Sequence, residues 1–157
     1  MHRVGFSKSS IAMHLAAALL LAGLIVTSAR ADDTPPTIAG AKLVAAQDVM
    51  KASATGAVVI IDTRVASEYS EGHIKGAISV PYREKSAKSV DFDANQDQFD
   101  LSKLPSDKAA AIVLYCNGPE CWKSYKASIV ATKRGYSNVL WYRLGYPDWK
   151  SKGFATE

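Results

Sequence analysis

The stretch Ile112-Val113-Leu114-Tyr115-Cys116-Asn117-Gly118-Pro119-Glu120-Cys121-Trp122-Lys123-Ser124 decides how this chain is read. The run from Ala109 to Tyr115 (AAAIVLY) is apolar without interruption, the pattern of a strand buried on both faces. It ends in a cysteine and crosses a Gly-Pro turn. From Trp122 to Arg134 the segment has helical character, with apolar Ile129 and Val130, and it stops at Gly135.

Two similar runs lie on either side, Ala57 to Ile61 (AVVII) and Asn138 to Tyr142 (NVLWY). Lys42 to Val44 and Ala77 to Val80 are shorter strand candidates, the second stopped by Pro81. Short helices are expected from Ala45 to Ala54 and from Pro147 to Lys152. Arg83 to Asp107 is polar, charged and weakly periodic, the longest loop-like stretch. Phe92, Phe99 and Leu101 in it either line a pocket, meet a partner or cover the core. Buried parallel-type strands alternating with helices make an α/β domain with helices on both faces of the sheet. Ligands of such sheets sit beyond the carboxyl ends of the strands, where Cys116 falls.

The start of the chain belongs to export rather than to the fold. Arg3 and Lys8 precede an uncharged run of 21 residues from Ser9 to Ala29, and Ala29-Arg30-Ala31 is an A-x-A site. This is a secretory signal cleaved after Ala31, with an uncleaved membrane anchor as the alternative. Residues 1–31 are therefore assigned to the signal, 32–37 (with DDTPP) to a flexible tail and 38–157 to one domain. The expected location is the periplasm or the exterior, free of the membrane once the signal is removed. The formal net charge of +4 misleads, because removing Arg3, Lys8 and Arg30 leaves 16 basic side chains against 15 acidic ones. With no basic run or stripe, nucleic acid is not an implied partner.

Cys116 occupies a chemically marked position. The first N–H groups of the following helix lack internal partners and point back toward the loop, and with the helix dipole they favour an anion there. A thiolate so placed has a lowered pKa and is nucleophilic near neutral pH, and Lys123 adds a positive charge. Two structural readings stand beside this one: a buried cysteine at a strand end, or a permanent Cys116–Cys121 disulfide, which an exported protein permits. The C-x4-C spacing is no zinc signature, and His73 is the only histidine after the signal, so no metal or other cofactor is expected.

Four ordered segments resemble the rhodanese-like family. Asp62-Thr63-Arg64 with Glu68-Tyr69 resembles its D-x-R…E-[FY] segment, and Gly72-His73-Ile74-Lys75-Gly76-Ala77-Ile78-Ser79-Val80-Pro81 its G-H-I-x-G-A-x-x-[VI]-P signature. Tyr115-Cys116 with Lys123-Ser124 resembles the active-site cysteine loop, and Leu144-Gly145, Trp149 and Gly153 the closing G-G…W…G pattern. The resemblance implies a five-stranded parallel sheet flanked by helices on both faces, and sulfur transfer through a cysteine persulfide. Cys116 would be the nucleophile. The loop and first helical turn, at Asn117, Gly118, Glu120, Trp122, Lys123 and Ser124, would bind the charged sulfur. Asp62, Arg64, Glu68 and His73 are expected to be structural: Asp62 ordering a turn, Arg64 pairing with Glu68, and His73 packing in a turn. Trp122 is a core or rim aromatic that can also shape the pocket mouth.

The loop departs from the family's C-x-x-G-x-R-S in being two residues longer and in carrying Lys123 where an arginine stands. A lysine does not replace a guanidinium fork on a tetrahedral phosphate, so the phosphatase chemistry of related folds is disfavoured. Cys121 is the other departure, a candidate resolving or disulfide partner. The leading function is an exported sulfurtransferase using a small sulfur-containing anion or a protein persulfide as donor, and a thiol or cyanide as acceptor. The alternatives are a thiol–disulfide redox protein using the Cys116/Cys121 pair, and a non-catalytic accessory module serving a periplasmic redox partner.

Overall fold

The computed structural model describes residues 1–2 and 33–157; the expected signal segment and its cleavage site lie outside the described residues. Five strands form one parallel sheet: β1 (Ala41–Leu43), β2 (Val59–Asp62), β3 (Ile78–Ser79), β4 (Ile112–Tyr115) and β5 (Val139–Tyr142), in the spatial order β1-β5-β4-β2-β3. Among the described residues four helices connect and close it: α1 (Ala46–Ala54), α2 (Ala66–Glu71), α3 (Trp122–Lys133) and α4 (Gly145–Ser151). This is the expected five-stranded α/β architecture.

The continuous apolar runs are explained by burial on both faces. In β4, Ile112 and Leu114 pack with Ala127 and Ala131 of α3, while Val113 and Tyr115 pack with Val49 of α1 and Trp149 of α4. Alternate residues of β5 divide the same way, Val139 toward α3 and Tyr142 toward α1 and α4. Each large aliphatic side chain buried so fully is worth about 1.5–3 kcal/mol, so the central strands carry much of the stability. The inner face of α3 is built from small residues, Ser124, Ala127, Ser128 and Ala131, which let the helix lie close to the sheet.

Register places the site. Asp62 pairs with Ser79 and with Tyr115, and Tyr115 with Tyr142, so β2, β3, β4 and β5 end level, while β1 stops one residue short with Leu43 beside Trp141. The segments that follow them all emerge on one edge, and Cys116 is the first residue beyond β4.

Several local expectations are corrected. The six-residue α2 has no buried residue and no apolar stripe for a sequence reading to detect. The stretch from Arg83 to Asp107 is irregular, as expected, and is held at particular points. It pairs Arg83 with Gln98, contains 3-10 turns at Ala94–Gln96 and Leu101–Lys103, and packs Phe99 and Leu101 against the α3 side of the core. Its anchor is Lys126, a fully buried lysine on α3 whose Nζ lies 2.6 Å from Glu84 Oε1 and donates to Ser86 Oγ at 2.9 Å. The start of the domain is also docked where a flexible tail was expected. Thr34 is 2% exposed, and its N–H donates to the carbonyl of Pro119 at 2.8 Å.

Candidate active site

The strand-to-loop transition at Cys116 is held from several sides. The Cys116 carbonyl accepts from the Tyr146 N–H at 2.8 Å. Gly145, at φ +63, presses so closely on that carbonyl that a Cβ there would lie 2.1 Å from the oxygen. The preceding carbonyl, of Tyr115, accepts from both the N–H and the hydroxyl of Thr63. These contacts fix Cys116 between the ends of β2, β4 and β5.

Beneath it lies a buried polar cluster. Asp62 is fully buried and accepts from the Arg64 guanidinium, with Nη2 to Oδ2 at 2.6 Å, and from the Tyr115 hydroxyl at 2.6 Å. The Arg64 N–H donates to Asp62 Oδ1, so Asp62 orders the turn after β2. Arg64 also donates to the Gly72 carbonyl at 2.7 Å and lies over the Tyr146 ring. Burial and the Asp62 carboxylate raise the Tyr115 pKa far above the ordinary tyrosine value, so this hydroxyl stays a donor. Arg64 thus pairs with Asp62, and the expected Arg64–Glu68 pair does not form. Arg64 precedes α2, so the helical i,i+4 geometry that joins such residues does not apply to it. Glu68 instead accepts from the Asn117 side-chain amide through Oε1 and from the Val65 N–H through Oε2. That contact ties the cysteine loop to α2.

Cys116 and Cys121 are joined by a disulfide, with Cα atoms 6.2 Å apart. The two sulfurs are unequal: Cys116 is 1% exposed, whereas Cys121, immediately before α3, is half-buried. The intervening turn is closed by the Cys121 N–H donating to the Gly118 carbonyl at 3.1 Å. The Pro119 carbonyl receives both the N–H and the hydroxyl of Thr34, and Arg143 in turn donates to Thr34 Oγ1 and to its carbonyl.

The remaining sequence candidates divide between loop and scaffold. Glu120 is exposed and Lys123 half-buried on the first turn of α3. The Ser124 hydroxyl accepts from the Trp141 indole N–H at 3.1 Å, which commits it to joining α3 to β5. Trp122 is buried with Tyr125, Trp141 and Ile38, so it belongs to the core. His73 stacks on Tyr69 and bonds the Tyr69 carbonyl through Nδ1, a packing role. Sequence reasoning missed Thr34, Gly145 and Arg143 as loop supports. Among the described residues no three or more His, Cys, Asp and Glu side chains gather as a metal site. A cleft of about 440 Å³, lined by Leu43, Val44, Ala45, Asp48, Arg143 and Leu144, opens at the carboxyl ends of β1 and β5.

Comparison with known proteins agrees with this arrangement. The sequence model of the family described as Rhodanese-like domain matches residues 45–152. Thiosulfate:glutathione sulfurtransferase of Saccharomyces cerevisiae is 36% identical over 97 residues, covering 61% of this chain and 67% of that protein. The solution structure of the rhodanese-like domain of the Alr3790 protein from Anabaena sp. superimposes with a TM-score of 0.53 at 28% identity, over 73% of this chain and 77% of the other. The human single-domain sulfurtransferase TSTD1 shares the fold, with a TM-score of 0.51 at 22% identity over 70% of this chain and 96% of its own.

Proposed function

The chain belongs to the rhodanese-like domain family, and on that premise we propose that it is a sulfurtransferase carrying sulfane sulfur as a persulfide on Cys116. One observation carries this reading: Cys116 stands at the carboxyl end of β4, in a loop that runs into the amino terminus of α3, held by Gly145 and Tyr146. Helix N–H groups and dipole favour the anionic thiolate and the anionic persulfide alike. A donor such as thiosulfate or a protein persulfide charges Cys116, and a thiol or cyanide discharges it. The yeast relative, named for thiosulfate and glutathione, supports a small sulfur donor and a thiol acceptor.

We also place the protein outside the cytoplasm, on the basic, apolar and A-x-A pattern of residues 1–31. The Cys116–Cys121 bond accords with an oxidising compartment. It also gives substance to a second reading, in which the pair itself is a dithiol–disulfide redox unit.

The test is sulfur transfer from thiosulfate to protein whose pair has first been reduced by a dithiol and freed of it, read as thiocyanate with excess cyanide and as sulfide without it. Cys116→Ser should lower the rate at least ~100-fold, the scale on which a lost nucleophile is felt. A rate that survives this substitution refutes the role of Cys116. Absence of both thiocyanate and sulfide from a chain that exchanges readily with dithiols would hand the function to the redox reading.

A further inference from the structure

Transfer of sulfur through Cys116 alone leaves Cys121 with nothing to do. Yet the loop is built to bring the two sulfurs together. The Gly118 carbonyl receives the Cys121 N–H, the Pro119 carbonyl is gripped twice by Thr34, and the Asn117 side chain is held by Glu68. In the disulfide Cys116 is 1% exposed and Cys121 half-buried, so a thiol from solution meets Cys121 first. Cys121 is bonded to the Cys116 sulfur. A thiol held within reach by its own chain acts at an effective concentration that can exceed that of any dissolved thiol by many powers of ten. Cys121 also directly precedes the twelve-residue α3, where the helix amino terminus favours its thiolate.

We infer that Cys121 discharges the Cys116 persulfide, expelling the sulfane sulfur as hydrosulfide and leaving the Cys116–Cys121 disulfide found in the structure. The inference rests on Cys116 being the persulfide carrier, and it adds an activity: reductive release of sulfide from sulfane sulfur. The Cys116 thiolate first attacks the outer sulfur of thiosulfate, whose S–S bond breaks to release sulfite. The Cys121 thiolate then attacks Cys116 Sγ. The bond from Sγ to the outer sulfur breaks, and that sulfur leaves with the electron pair and takes up a proton as HS⁻. Two thiols are oxidised to one disulfide, and one sulfur is reduced from zero to −2, so no further oxidant or reductant enters. A protein dithiol of the same compartment then reopens the pair by attacking the sulfur of Cys121, the less buried of the two cysteines, freeing the Cys116 thiolate. Its second thiol clears the mixed disulfide.

The experiment is a single turnover of the purified full chain, reduced, freed of reductant and mixed with one equivalent of thiosulfate or, in parallel, of inorganic polysulfide. Sulfide is read with a selective electrode in the thiosulfate arm, because charging by polysulfide itself sheds sulfide, and protein mass is read after an acid quench in both. The wild type should release about one equivalent of sulfide and finish about 2 Da below its dithiol form. Cys121→Ser and Cys121→Ala should instead stop at a gain of about 32 Da on Cys116, with sulfide release at least ~100-fold slower. Two variants of different polarity, each checked for native circular dichroism, separate this trap from misfolding. A wild type that keeps the added 32 Da and releases no sulfide overturns the inference and leaves the carrier standing. If the Cys121 variants neither gain 32 Da with either donor nor release sulfide from thiosulfate, the carrier reading falls as well.

Discussion

Gly145→Ala tests whether the cysteine loop is held by the close approach described above. Gly145 sits at φ +63, where an L side chain costs about 1–2 kcal/mol of backbone strain. An added Cβ would also stand 2.1 Å from the Cys116 oxygen and 3.1 Å from the Gly118 nitrogen. Both neighbours are backbone, so the helix start or the loop must move. Overpacking of that kind costs about 1–3 kcal/mol, and losing the Tyr146 N–H bond to Cys116 adds about 1 kcal/mol. The sum, about 3–6 kcal/mol, corresponds to a fall of roughly 10 °C or more in Tm for a domain of this size. Gly56→Ala is the matched control: φ is +68, but a Cβ there meets nothing within 4 Å, so only the strain of about 1–2 kcal/mol applies. Urea unfolding of the two variants isolates the contact, and amide exchange at Tyr146 should rise in Gly145→Ala only. Equal destabilisation by the two substitutions, with Tyr146 exchange unchanged, would refute the proposed support.

Two further predictions concern the buried charges. Arg64→Ala leaves the fully buried Asp62 carboxylate without its cation and should cost about 3–5 kcal/mol in urea unfolding, whereas pairing Arg64→Met with Asp62→Asn should recover part of that loss. Burial works to raise the Asp97 pKa, but hydrogen bonds from Ser86, Lys85 and Tyr82 outweigh it and hold the carboxyl at about 2, below the ordinary 3.8. Its contribution of about 2 kcal/mol is therefore present above pH ~4 and lost as pH falls toward 2; Asp97→Asn should flatten that part of the acid-unfolding curve.

The central strands were legible because a strand covered on both faces needs an unbroken apolar run, and AAAIVLY and NVLWY are such runs. The cysteine loop was legible for the same reason: it begins where one such run ends. What escaped the sequence depends on contacts between distant segments. Lys126 looks like any helix-surface lysine until Glu84 and Ser86, some 40 positions earlier, are folded over it. Thr34 lies in a polar, proline-bearing stretch whose composition says tail, and only its fit to Pro119 and Arg143 says otherwise. The pairing of Arg64 failed for a local reason, since a residue standing before a helix does not share that helix's spacing. Asn117 was chosen as a loop residue, but its restraint by Glu68 depends on where α2 falls, and α2 carries no apolar periodicity to announce it.

The grip of Thr34 on Pro119 has a mechanical side. Following the chain from Asp33, the first structures met before β1 begins are Arg143 and the sulfur-bearing loop, the latter reached through the Thr34 N–H and hydroxyl. Tension applied upstream of Asp33 is therefore shared between Pro119, midway between the two cysteines, and Arg143, the first residue past β5. A molecule held by its leading end carries part of the load on its reactive turn, and the force needed to detach Thr34 becomes a gauge of how firmly that turn is closed.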